Sequence, residues 1–509
     1  MTAPPKVSVV VPVYNPGRDI DDCIRTVLDQ SLPADEYEVI FVDDGSTDAT
    51  PARLDALAAA HENVRVEHIP NSGWPGRPRN LGMDLAAGEF VYFVDNDDWL
   101  GREALERLHA MAMRDAADIV IGKVVGHGKS VPRNLFRRNR TGVTLEWEAL
   151  LWLLTPHKLF RRSFLAANAL RFPEGRRRLE DHVFVMRAYF LEPRISVLAD
   201  YACYHWVLRD TDVNASWGHL DPVTYFGFLR EVLDIVDAHT EPGPFRDRLY
   251  ARWYRGKMLN RVEKVHSNPD LEHRRALYAA MHELAQERVG AGVDAFLPFN
   301  LQLRSRLLRA ARYDALAALV DFETALRPLA RAVMVRPIAG GVELAVEAEL
   351  DALRFVRDGE RLTWGDDGAD ATAALADSTV QLLLKQRATQ EEYRVPAKVE
   401  RRLVDGPDGR VRAVVAVTGR VLGANAAAGA PLPPGAWEVH AMVIVAGFRA
   451  AGRVRRAAGA EHLMLFAGTD GQVAERRPGW QRNLRRRMPR PVVHALRRAQ
   501  RAVRRRARG

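Results

Sequence analysis

The chain has 509 residues, more than one ordinary domain holds, and it contains neither a run of about 18 apolar residues nor the pattern of a signal peptide. These features predict three or four domains without a membrane-spanning helix, and the two isolated cysteines predict no disulfide framework, so we expect a cytoplasmic protein. The net charge of +9 comes from residues 476–509, which hold fourteen arginines and no acid, so the net acidic remainder is not expected to bind nucleic acid.

The first 125 residues alternate between apolar strand patterns and amphipathic helical patterns. The strand patterns cover Val7–Val13, Tyr37–Val42, Val64–Ile69, Phe90–Val94 and Ile119–Val125. The helix after the second strand is expected to run to about His61, with Thr50 as its N-cap and Pro51 at its first position. The alternation predicts an α/β fold with a mostly parallel, Rossmann-like sheet, and such sheets bind ligands beyond the carboxyl ends of their strands.

Polar residues follow three of these strands at the point where each strand ends. Tyr14-Asn15 follows the first strand, Asp43-Asp44 the second, and Asp95-Asn96-Asp97-Asp98 the fourth. Because parallel strands end on one edge of a sheet, these side chains are expected to lie together, and carboxylates there suit Mg²⁺ or Mn²⁺. The Asp-rich segment alone is also typical of a polar turn. Neither a dinucleotide glycine motif nor a P-loop motif occurs in the chain.

Four segments together resemble the family 2 glycosyltransferases of the GT-A fold. They are Val9–Asn15, Val42–Asp48, Asn71 with Arg79–Gly82, and Val94–Asp98, and they follow the order and spacing of the family. The resemblance covers residues 1 to about 220. It implies an inverting transferase that uses a nucleotide-activated sugar, usually a UDP-sugar, together with Mg²⁺ or Mn²⁺.

The resemblance also implies which residues bind this donor. Tyr14 and Asp44 match positions that hold the base and ribose, and Arg79 suits phosphate oxygens because its guanidinium is a rigid fork of donors. Arg209 lies in a polar segment that either closes over the diphosphate or is a solvated loop. The predicted nucleotide-sugar site consists of Pro12, Tyr14, Asn15, Asp44, Asn71, Arg79, Asp95, Asn96 and Arg209.

Two further residues are assigned to the metal. Asp97 matches the family's metal ligand, and the role of Asp98 is left open. The resemblance also makes His205 a candidate to complete the metal shell or to contact phosphates, and imidazole suits Mn²⁺ better than Mg²⁺. A purely structural histidine is an equal alternative at that position.

The pair Glu180-Asp181 opens a predicted helix. Acidic residues are ordinary at a helix N-terminus. The resemblance, however, implies a catalytic acid pair about 80 residues after the Asp-x-Asp triplet, and this pair lies there. We predict Asp181 as the general base that takes the proton of the acceptor hydroxyl, with Glu180 orienting it or the acceptor. The preceding run Arg176–Arg178 is expected on the solvated surface, although it would attract a polyanion near an acceptor cleft.

The composition changes after the transferase region and predicts four segments. They are a GT-A domain at 1–218, a helical linker at 219–330, a β-rich, sandwich-like domain at 331–470 and an arginine-rich tail at 471–509. The β-rich domain is predicted from strand patterns at Val342–Leu350, Val411–Val417 and Trp437–Val445, with the turn Asp405–Gly409. This architecture, with the loop Gly73–Asn80, resembles the TarS-like transferases that decorate poly(ribitol-phosphate) wall teichoic acid.

The narrower resemblance implies a glycan or polyol-phosphate acceptor. The β-rich domain would then bind this polymer or form a homo-oligomer, and a plain packing domain is as consistent with the pattern. The tail resembles a basic amphipathic helix from about Pro491, which would dock on the anionic inner face of the cell membrane. Binding of a polyanionic acceptor and a disordered basic tail are the alternatives.

Two other functions are weighed against glycosyl transfer. A nucleotidyltransferase also uses a metal and a diphosphate, but the chain lacks a glycine-rich phosphate loop. A non-catalytic, glycan-binding adaptor with a degenerate transferase domain would not be expected to keep both Asp97 and Asp181. The Gln-x-x-Arg-Trp signature of processive synthases does not occur, so the addition of single sugars is expected.

Overall fold

The structure is a computed structural model that describes residues 4–129, 131–132, 134–208, 221–365, 368–386, 392–427, 431–456 and 461–475. Two predictions fall outside these residues, the phosphate-closing role of Arg209 and the membrane-binding role of the tail from residue 476 onward. The chain forms two compact units, Met1–Ala325 and Leu326–Gly509. The predicted transferase domain and most of the helical linker fall in the first unit, and the predicted β-rich domain falls in the second.

Nine strands of the described residues form the sheet of the first unit. They are β1 (Val7–Val13), β2 (Tyr37–Asp43), β3 (Val64–His68), β4 (Phe90–Phe93), β5 (Trp99–Leu100), β6 (Ile119–His127), β7 (Arg140–Val143), β8 (Leu159–Arg161) and β9 (Ile195–Val207). The strand order is β3-β2-β1-β4-β8-β6-β9-β5, with β7 beside β9. The first four strands pair in parallel, as does β6 with β9, whereas β5, β7 and β8 pair antiparallel. The predicted α/β class is confirmed.

Helices cover the sheet of the first unit. They are α1 (Asp21–Leu28), α2 (Thr50–Ala60), α3 (Gly76–Leu85), α4 (Ala104–Asp115), α5 (Arg162–Ala167) and α6 (Glu180–Phe190). The N-cap prediction for α2 is wrong by one residue, because Ala49 is the N-cap and Thr50 is the first helical residue. The carboxylate of Asp48 accepts a hydrogen bond from the Thr50 backbone N–H at 2.9 Å, so Asp48 supplies the polar cap instead.

Close packing of α3 on β1 positions the start of α3 at the edge of the sheet. A Cβ atom at Gly82 would lie 2.2 Å from Val10 Cγ1, so the helix approaches the strand more closely than any larger residue would permit. Gly76 has the same role at the helix start, where a Cβ atom would lie 2.3 Å from the carbonyl oxygen of Pro173. The first turn of α3 therefore contacts the segment that leads to α6.

From Pro222 to Ala325 the first unit is helical, as predicted for the linker. Its α-helices are α7 (Pro222–His239), α8 (Pro244–Trp253), α9 (Val262–His266), α10 (Leu271–Arg288), α11 (Phe299–Arg309) and α12 (Tyr313–Ala325). A π-helical segment, Tyr254–Met258, continues α8 directly. Helix α7 packs on α6, which brings this region beside the predicted acid pair. Within the described ranges, no helix has both the length and the apolar character needed to span a membrane.

The second unit is rich in antiparallel strands, and this prediction is confirmed. One sheet contains β10 (Pro328–Ile338), β11 (Gly341–Leu350), β12 (Phe355–Asp358), β13 (Arg361–Trp364), β14 (Ala369–Asp370), β17 (Ala397–Asp405), β18 (Arg410–Leu422) and β21 (Arg455–Arg456). The other contains β15 (Thr379–Gln386), β16 (Glu392–Val395), β19 (Gly435–Val445), β20 (Phe448–Arg453), β22 (Met464–Ala467) and β23 (Val473–Glu475), and a short helix, α13 (Thr372–Ala376), precedes β15. The two sheets contact each other through β11 and β19, so alternate residues of each are buried.

Candidate active site

A cavity of about 1290 Å³ lies at the carboxyl ends of β1, β2 and β4. It brings together eleven of the thirteen residues that the sequence predicted for the site. They are Pro12, Tyr14, Asn15, Asp44, Asn71, Arg79, Asp95, Asn96, Asp97, Glu180 and Asp181. His205 is not among the residues that line this cavity, and Arg209 lies outside the described residues. We call the part formed by Tyr14, Asp44 and Asp95–Asp97 the donor side, and the part formed by Glu180 and Asp181 the acid-pair side.

Hydrogen bonds join the loops of the donor side. The Asn15 side-chain oxygen accepts from the backbone N–H of Thr47 at 2.7 Å, and the Asn15 backbone N–H donates to Ser46 Oγ at 2.9 Å. The Asp44 carboxylate accepts from the backbone N–H and the hydroxyl of Ser72 at 2.8 and 2.9 Å. Burial raises the pKa of Asp44, and the two hydrogen bonds from Ser72 oppose that rise. Asn15 and Asp44 therefore fix the loops around the cavity, and their contacts with a donor stay predictions.

Tyr14 presents an aromatic ring at the same edge. It lines the cavity with 48% of its surface exposed, which leaves the ring accessible to a planar ligand. Asn71 is exposed on the cavity wall as well, whereas Pro12 is buried at the end of β1 and shapes that wall. A nucleoside base is the kind of planar group that such an aromatic side chain stacks on.

Arg79, in the first turns of α3, connects the donor side to the acid-pair side. Its Nη2 donates to Asp95 Oδ1 at 2.8 Å, and its Nη1 donates to Glu180 Oε1 at 3.3 Å. The other oxygen of Asp95 lies 2.9 Å from Nε2 of the buried His157. Burial alone would raise the pKa of Asp95, but His157 and Arg79 outweigh it and hold the pKa well below its usual range. Asp95 is therefore an ionised carboxylate held by two protein donors.

Asp98, whose role the sequence left open, is a structural carboxylate in this arrangement. It is fully buried, and it accepts from the Tyr204 hydroxyl at 2.7 Å and from the Val207 backbone N–H at 2.8 Å. Burial raises the pKa of Asp98 well above its usual range, and the nearby carboxylates Asp97 and Asp95 raise it further. The side chain thus attaches the end of β4 to β9.

The side chains of Asp95, Asp98 and His157 form a group whose ligand atoms lie within 4.8 Å of one another. Carboxylate oxygens and an imidazole nitrogen are donors that Mn²⁺ binds. Asp95, however, already accepts from Arg79 and His157, and Asp98 accepts from Tyr204 and Val207. A cation at this group would have to displace those hydrogen bonds. Asp97, the predicted metal ligand, lines the cavity, and its role as a ligand stays a prediction.

His205, the second predicted metal ligand, lies against Trp99. The two rings stack with their centroids 5.2 Å apart and an interplanar angle of 13°, and His205 Nδ1 lies 2.9 Å from Nε2 of His127. Burial, followed by the neighbouring His127, lowers the pKa of His205 to about 4. The imidazole is therefore neutral, as metal binding requires, but only its Nε2 is left for a ligand role. That role stays a prediction.

The acid pair opens α6 after Leu179, which has a left-handed backbone with φ of 63°. Glu180 is buried beneath Arg79, and Asp181 is half-buried on the cavity wall, where its Oδ1 accepts from the His182 backbone N–H at 2.8 Å. Burial and the charge of Glu180 raise the pKa of Asp181 to about 7, against the opposing charge of Lys257. A carboxylate with a pKa near 7 is suited to accept a proton at neutral pH.

Residues of the helical region contact the acid-pair side of the cavity. The indole Nε1 of the fully buried Trp253 donates to His182 Nδ1 at 2.9 Å. Helix α7 contributes Thr224, Tyr225 and Phe228 to the cavity wall. Burial, with the charges of Lys257, Arg252 and Lys158, lowers the pKa of His182 well below its usual range, so this imidazole is a neutral acceptor. The acid pair is therefore held between the sheet and the helical linker.

All three arginines of Arg176–Arg178 line the cavity, with Arg176 exposed and Arg177 and Arg178 half-buried, so the run is both at the surface and beside a cleft. Arg177 forms an ion pair with Glu231 of α7 and lies over the Phe228 ring at 4.8 Å, and Arg178 lies over the Trp74 ring at 5.8 Å. Arg177 is therefore the member of this run that contacts α7. The cavity wall is therefore basic next to the acid pair.

Sequence reasoning missed two kinds of residue at this site. His157 lies in a family-like segment, His157–Arg161, but received no role, and its partner Asp95 is distant in the sequence. Trp74 lies within a loop whose family resemblance was noted, yet the ring itself received no role. Lys158, by contrast, is structural, since its buried ammonium donates to the carbonyl oxygens of Leu153 and Thr155.

Comparison with known proteins agrees with this geometry. Residues 8–172 match glycosyl transferase family 2, and residues 222–320 match the glycosyl transferase TarS linker domain. The chain is 38% identical over 235 residues to the poly(ribitol-phosphate) beta-glucosyltransferase of Bacillus spizizenii, an alignment that covers 46% of this chain and 37% of the relative. The chain thus spans less than half the length of that relative.

Two proteins of Staphylococcus aureus are also similar. The poly(ribitol-phosphate) beta-N-acetylglucosaminyltransferase TarP is 31% identical over 241 residues, which cover 45% of this chain and 72% of TarP. The crystal structure of TarS residues 1–349 in complex with UDP-GlcNAc superposes with a TM-score of 0.55 at 28% identity and covers 67% of this chain and 96% of that one. The chain therefore belongs to glycosyl transferase family 2 and, within it, resembles the TarS-like poly(ribitol-phosphate) glycosyltransferases.

Proposed function

We propose that this chain is an inverting, metal-dependent glycosyltransferase that moves a sugar from a UDP-sugar to a hydroxyl of a polyol-phosphate polymer. The observation that carries the proposal is the presence in one cavity of the donor-side carboxylates and of Asp181, a carboxylate whose pKa is raised to about 7. The first set suits a nucleotide diphosphate with a cation, and the second suits a general base.

The donor lies along the donor side. The exposed ring of Tyr14 stacks on uracil, and Asp95 accepts hydrogen bonds from hydroxyls of the ribose or the sugar. The similarity to TarS, which was crystallised with UDP-GlcNAc, supports a UDP-sugar. The named relatives transfer glucose in one case and N-acetylglucosamine in another, so the proposal covers both sugars.

Asp97 would hold a divalent cation, and Mg²⁺ or Mn²⁺ there would supply the charge that neutralises a leaving diphosphate. The protein's own contribution on this side is to keep Asp97 at the cavity wall, since its neighbour Asp98 anchors the segment to β9. His205, which does not line the cavity, would join such a shell only through Nε2, because His127 engages its Nδ1.

Asp181 takes the proton of the attacking hydroxyl while that oxygen attacks the sugar carbon from the face opposite the diphosphate. The anomeric configuration is therefore inverted. Glu180 keeps the pKa of Asp181 high, which makes it a stronger base than an ordinary aspartate once it is deprotonated. The half-buried position limits access of competing water to the same carboxylate.

The acceptor enters along the basic wall formed by Arg176–Arg178 and α7. A polyol-phosphate chain carries one negative charge per repeat, and arginines beside the acid pair would attract it. The names of the relatives support poly(ribitol-phosphate) as this polymer.

We also propose that the enzyme acts at the inner membrane face through its tail, as a homo-oligomer or a monomer. Co-sedimentation with anionic liposomes, for the full chain against residues 1–475, tests the membrane contact.

Incubation of the purified chain with labelled UDP-glucose or UDP-GlcNAc, Mn²⁺ and poly(ribitol-phosphate) tests the function directly. We expect label in the polymer, release of UDP and a β-linked product in NMR spectra. Poly(glycerol-phosphate) serves as the matched acceptor that differs in the polyol alone. A chain that binds UDP-sugar but releases no UDP would be an adaptor, and transfer of the nucleotide would make it a nucleotidyltransferase.

A further inference from the structure

One buried guanidinium joins the two sides of the cavity. Arg79 is 4% exposed, and its two terminal nitrogens donate to carboxylates that belong to different parts of the fold. Asp95 follows β4 on the donor side, and Glu180 is the first residue of α6 on the acid-pair side. A single side chain thus forms an ion pair with each of these two carboxylates.

The rest of the guanidinium is poorly placed to bind a phosphate. The Nε atom is buried and has no hydrogen-bond partner among the described residues. One face of the group lies over the Phe172 ring, with Cζ 5.4 Å from the ring centroid. A diphosphate would have to break the existing ion pairs to reach this fork, and separating buried charges that are already paired is unfavourable.

We infer that Arg79 is a positioning residue that holds Glu180, and with it the first turn of α6 that carries Asp181, against the donor-side carboxylate Asp95. The inference rests on the proposed function and adds a means by which the donor side and the acid-pair side are kept in register. The sequence suggested that Arg79 binds the phosphates of the donor. In this inference Arg79 acts instead through the two carboxylates.

The charges around Asp181 affect its pKa, and therefore the pH midpoint of the activity. An arginine with a purely structural role would not change that midpoint. The charged groups that act on Asp181, or on which it acts, are Glu180, Arg79, Lys257, Lys158 and Arg252. Burial raises the pKa of Asp181 most, Glu180 raises it further, and Lys257 and Arg79 lower it. Loss of the Arg79 charge therefore raises the pH midpoint of the Asp181-dependent activity, whereas loss of the Glu180 charge lowers it.

The experiment compares Arg79→Gln, Arg79→Lys and Glu180→Gln with wild type, using the full chain. The readouts are the dissociation constant of UDP by calorimetry and the pH profile of kcat for sugar transfer. Arg304→Gln is the matched control, because Arg304 is another buried arginine that is paired with a carboxylate, Glu323, but lies in the helical region.

For Arg79→Gln we expect UDP affinity within about threefold of wild type and a kcat lowered by about 100-fold, since displacing a catalytic group by about 1 Å has effects of that size. The pH midpoint moves up for Arg79→Gln and down for Glu180→Gln. Arg79→Lys retains the charge and keeps the midpoint near that of wild type, but it lacks the fork and stays slow. Arg304→Gln changes neither UDP affinity nor the pH midpoint.

A loss of about tenfold or more in UDP affinity for Arg79→Gln, with the pH midpoint unchanged, would overturn the inference and make Arg79 a diphosphate ligand. Failure of the proposed function gives a different result, in which wild type binds UDP and transfers no sugar to any acceptor. In that case the urea midpoints of Arg79→Gln, Glu180→Gln and the double variant decide. Additive losses of stability in the double variant would contradict the proposed coupling of Arg79 to Glu180, and non-additive losses would support it.

Discussion

The donor side and the acid-pair side of the cavity are built in different ways. On the donor side, parallel strands end at the same edge of the sheet, so their terminal residues lie together there. The short loops that follow are joined by hydrogen bonds, such as the one that Asp44 accepts from Ser72. On the acid-pair side, the first turn of α6 is held by residues from distant elements. Arg79 of α3 binds Glu180, and Trp253 of α8 binds His182.

This difference separates two kinds of chemistry. The donor side has accessible side chains such as Tyr14, and it offers shape and hydrogen bonds to a ligand. The acid-pair side buries charges, and burial shifts the pKa of Asp181 and of Lys257, the latter to about 8. Binding of the donor is thus expected to depend on local loops, whereas proton transfer depends on how the linker region packs against α6.

The largest effect is expected from Asp181→Asn. The amide has nearly the same shape but cannot accept a proton, so kcat for sugar transfer should fall by about 10²–10⁴-fold. UDP affinity, measured by calorimetry, should stay near that of wild type, since the donor side is unchanged. Asp35→Asn, at an exposed carboxylate far from the cavity, is the control and should leave both values unaltered. Retained turnover in Asp181→Asn would refute the base assignment.

Asp97→Ala tests the donor side and should have the next largest effect. Without this carboxylate we expect Mn²⁺ to lose its influence on donor binding, and transfer should fall by about 100-fold, as for the loss of other groups that support charge in a leaving diphosphate. Thermal shift with UDP, with and without Mn²⁺, measures the binding. An Asp98→Asn variant should instead lower the melting temperature without ligand, because it disturbs the buried bonds to β9. An unchanged Mn²⁺ effect in Asp97→Ala would exclude it as the ligand.

The comparison also explains how much could be predicted from the sequence. The strands β1–β4 were predicted with nearly correct bounds because β1, β2 and β4 are mainly apolar, and β3 alternates between apolar and polar residues. Val7–Val13 is buried along its whole length, as expected of a strand covered on both faces. The donor-side residues followed, since they come directly after those strands. Their lining of one cavity is a geometrical consequence of parallel pairing.

The long-range contacts could not be predicted in this way. Nothing near His157 in the sequence indicates that it holds Asp95, and nothing near Trp253 indicates that it bonds to His182. His205 was considered as a metal ligand from the family resemblance and its imidazole, and its stacking on Trp99 depends on the antiparallel pairing of β5 with β9. Such contacts arise from tertiary packing, and local patterns carry no information about them.

The pH dependence sharpens the contrast between the two sides. Because the base must be deprotonated, kcat should rise about tenfold per pH unit below pH 7 and level off above it, whereas an ordinary aspartate would place this limb near pH 4. Lys257→Met removes a charge that lowers the pKa of Asp181, so the midpoint should move to higher pH. Lys264→Met, at an exposed lysine of α9, is the control. UDP binding should not follow this limb in any variant, and a shared limb would assign the titration to the donor side.

Trp253→Phe is expected to have the smallest effect and tests whether the linker region only supports the fold. The substitution keeps an aromatic ring but removes the N–H, which leaves His182 Nδ1 buried without its donor and costs about 1–3 kcal/mol of unfolding free energy in urea. Trp437→Phe is the matched control, because Trp437 is also fully buried and its Nε1 donates to the Pro433 carbonyl oxygen in the second unit. Both variants should lose stability, but only Trp253→Phe should also lower kcat, by roughly tenfold, since it loosens the first turn of α6 that carries Asp181. Equal kcat values for the two variants would mean that the linker supports the fold without helping to place the base.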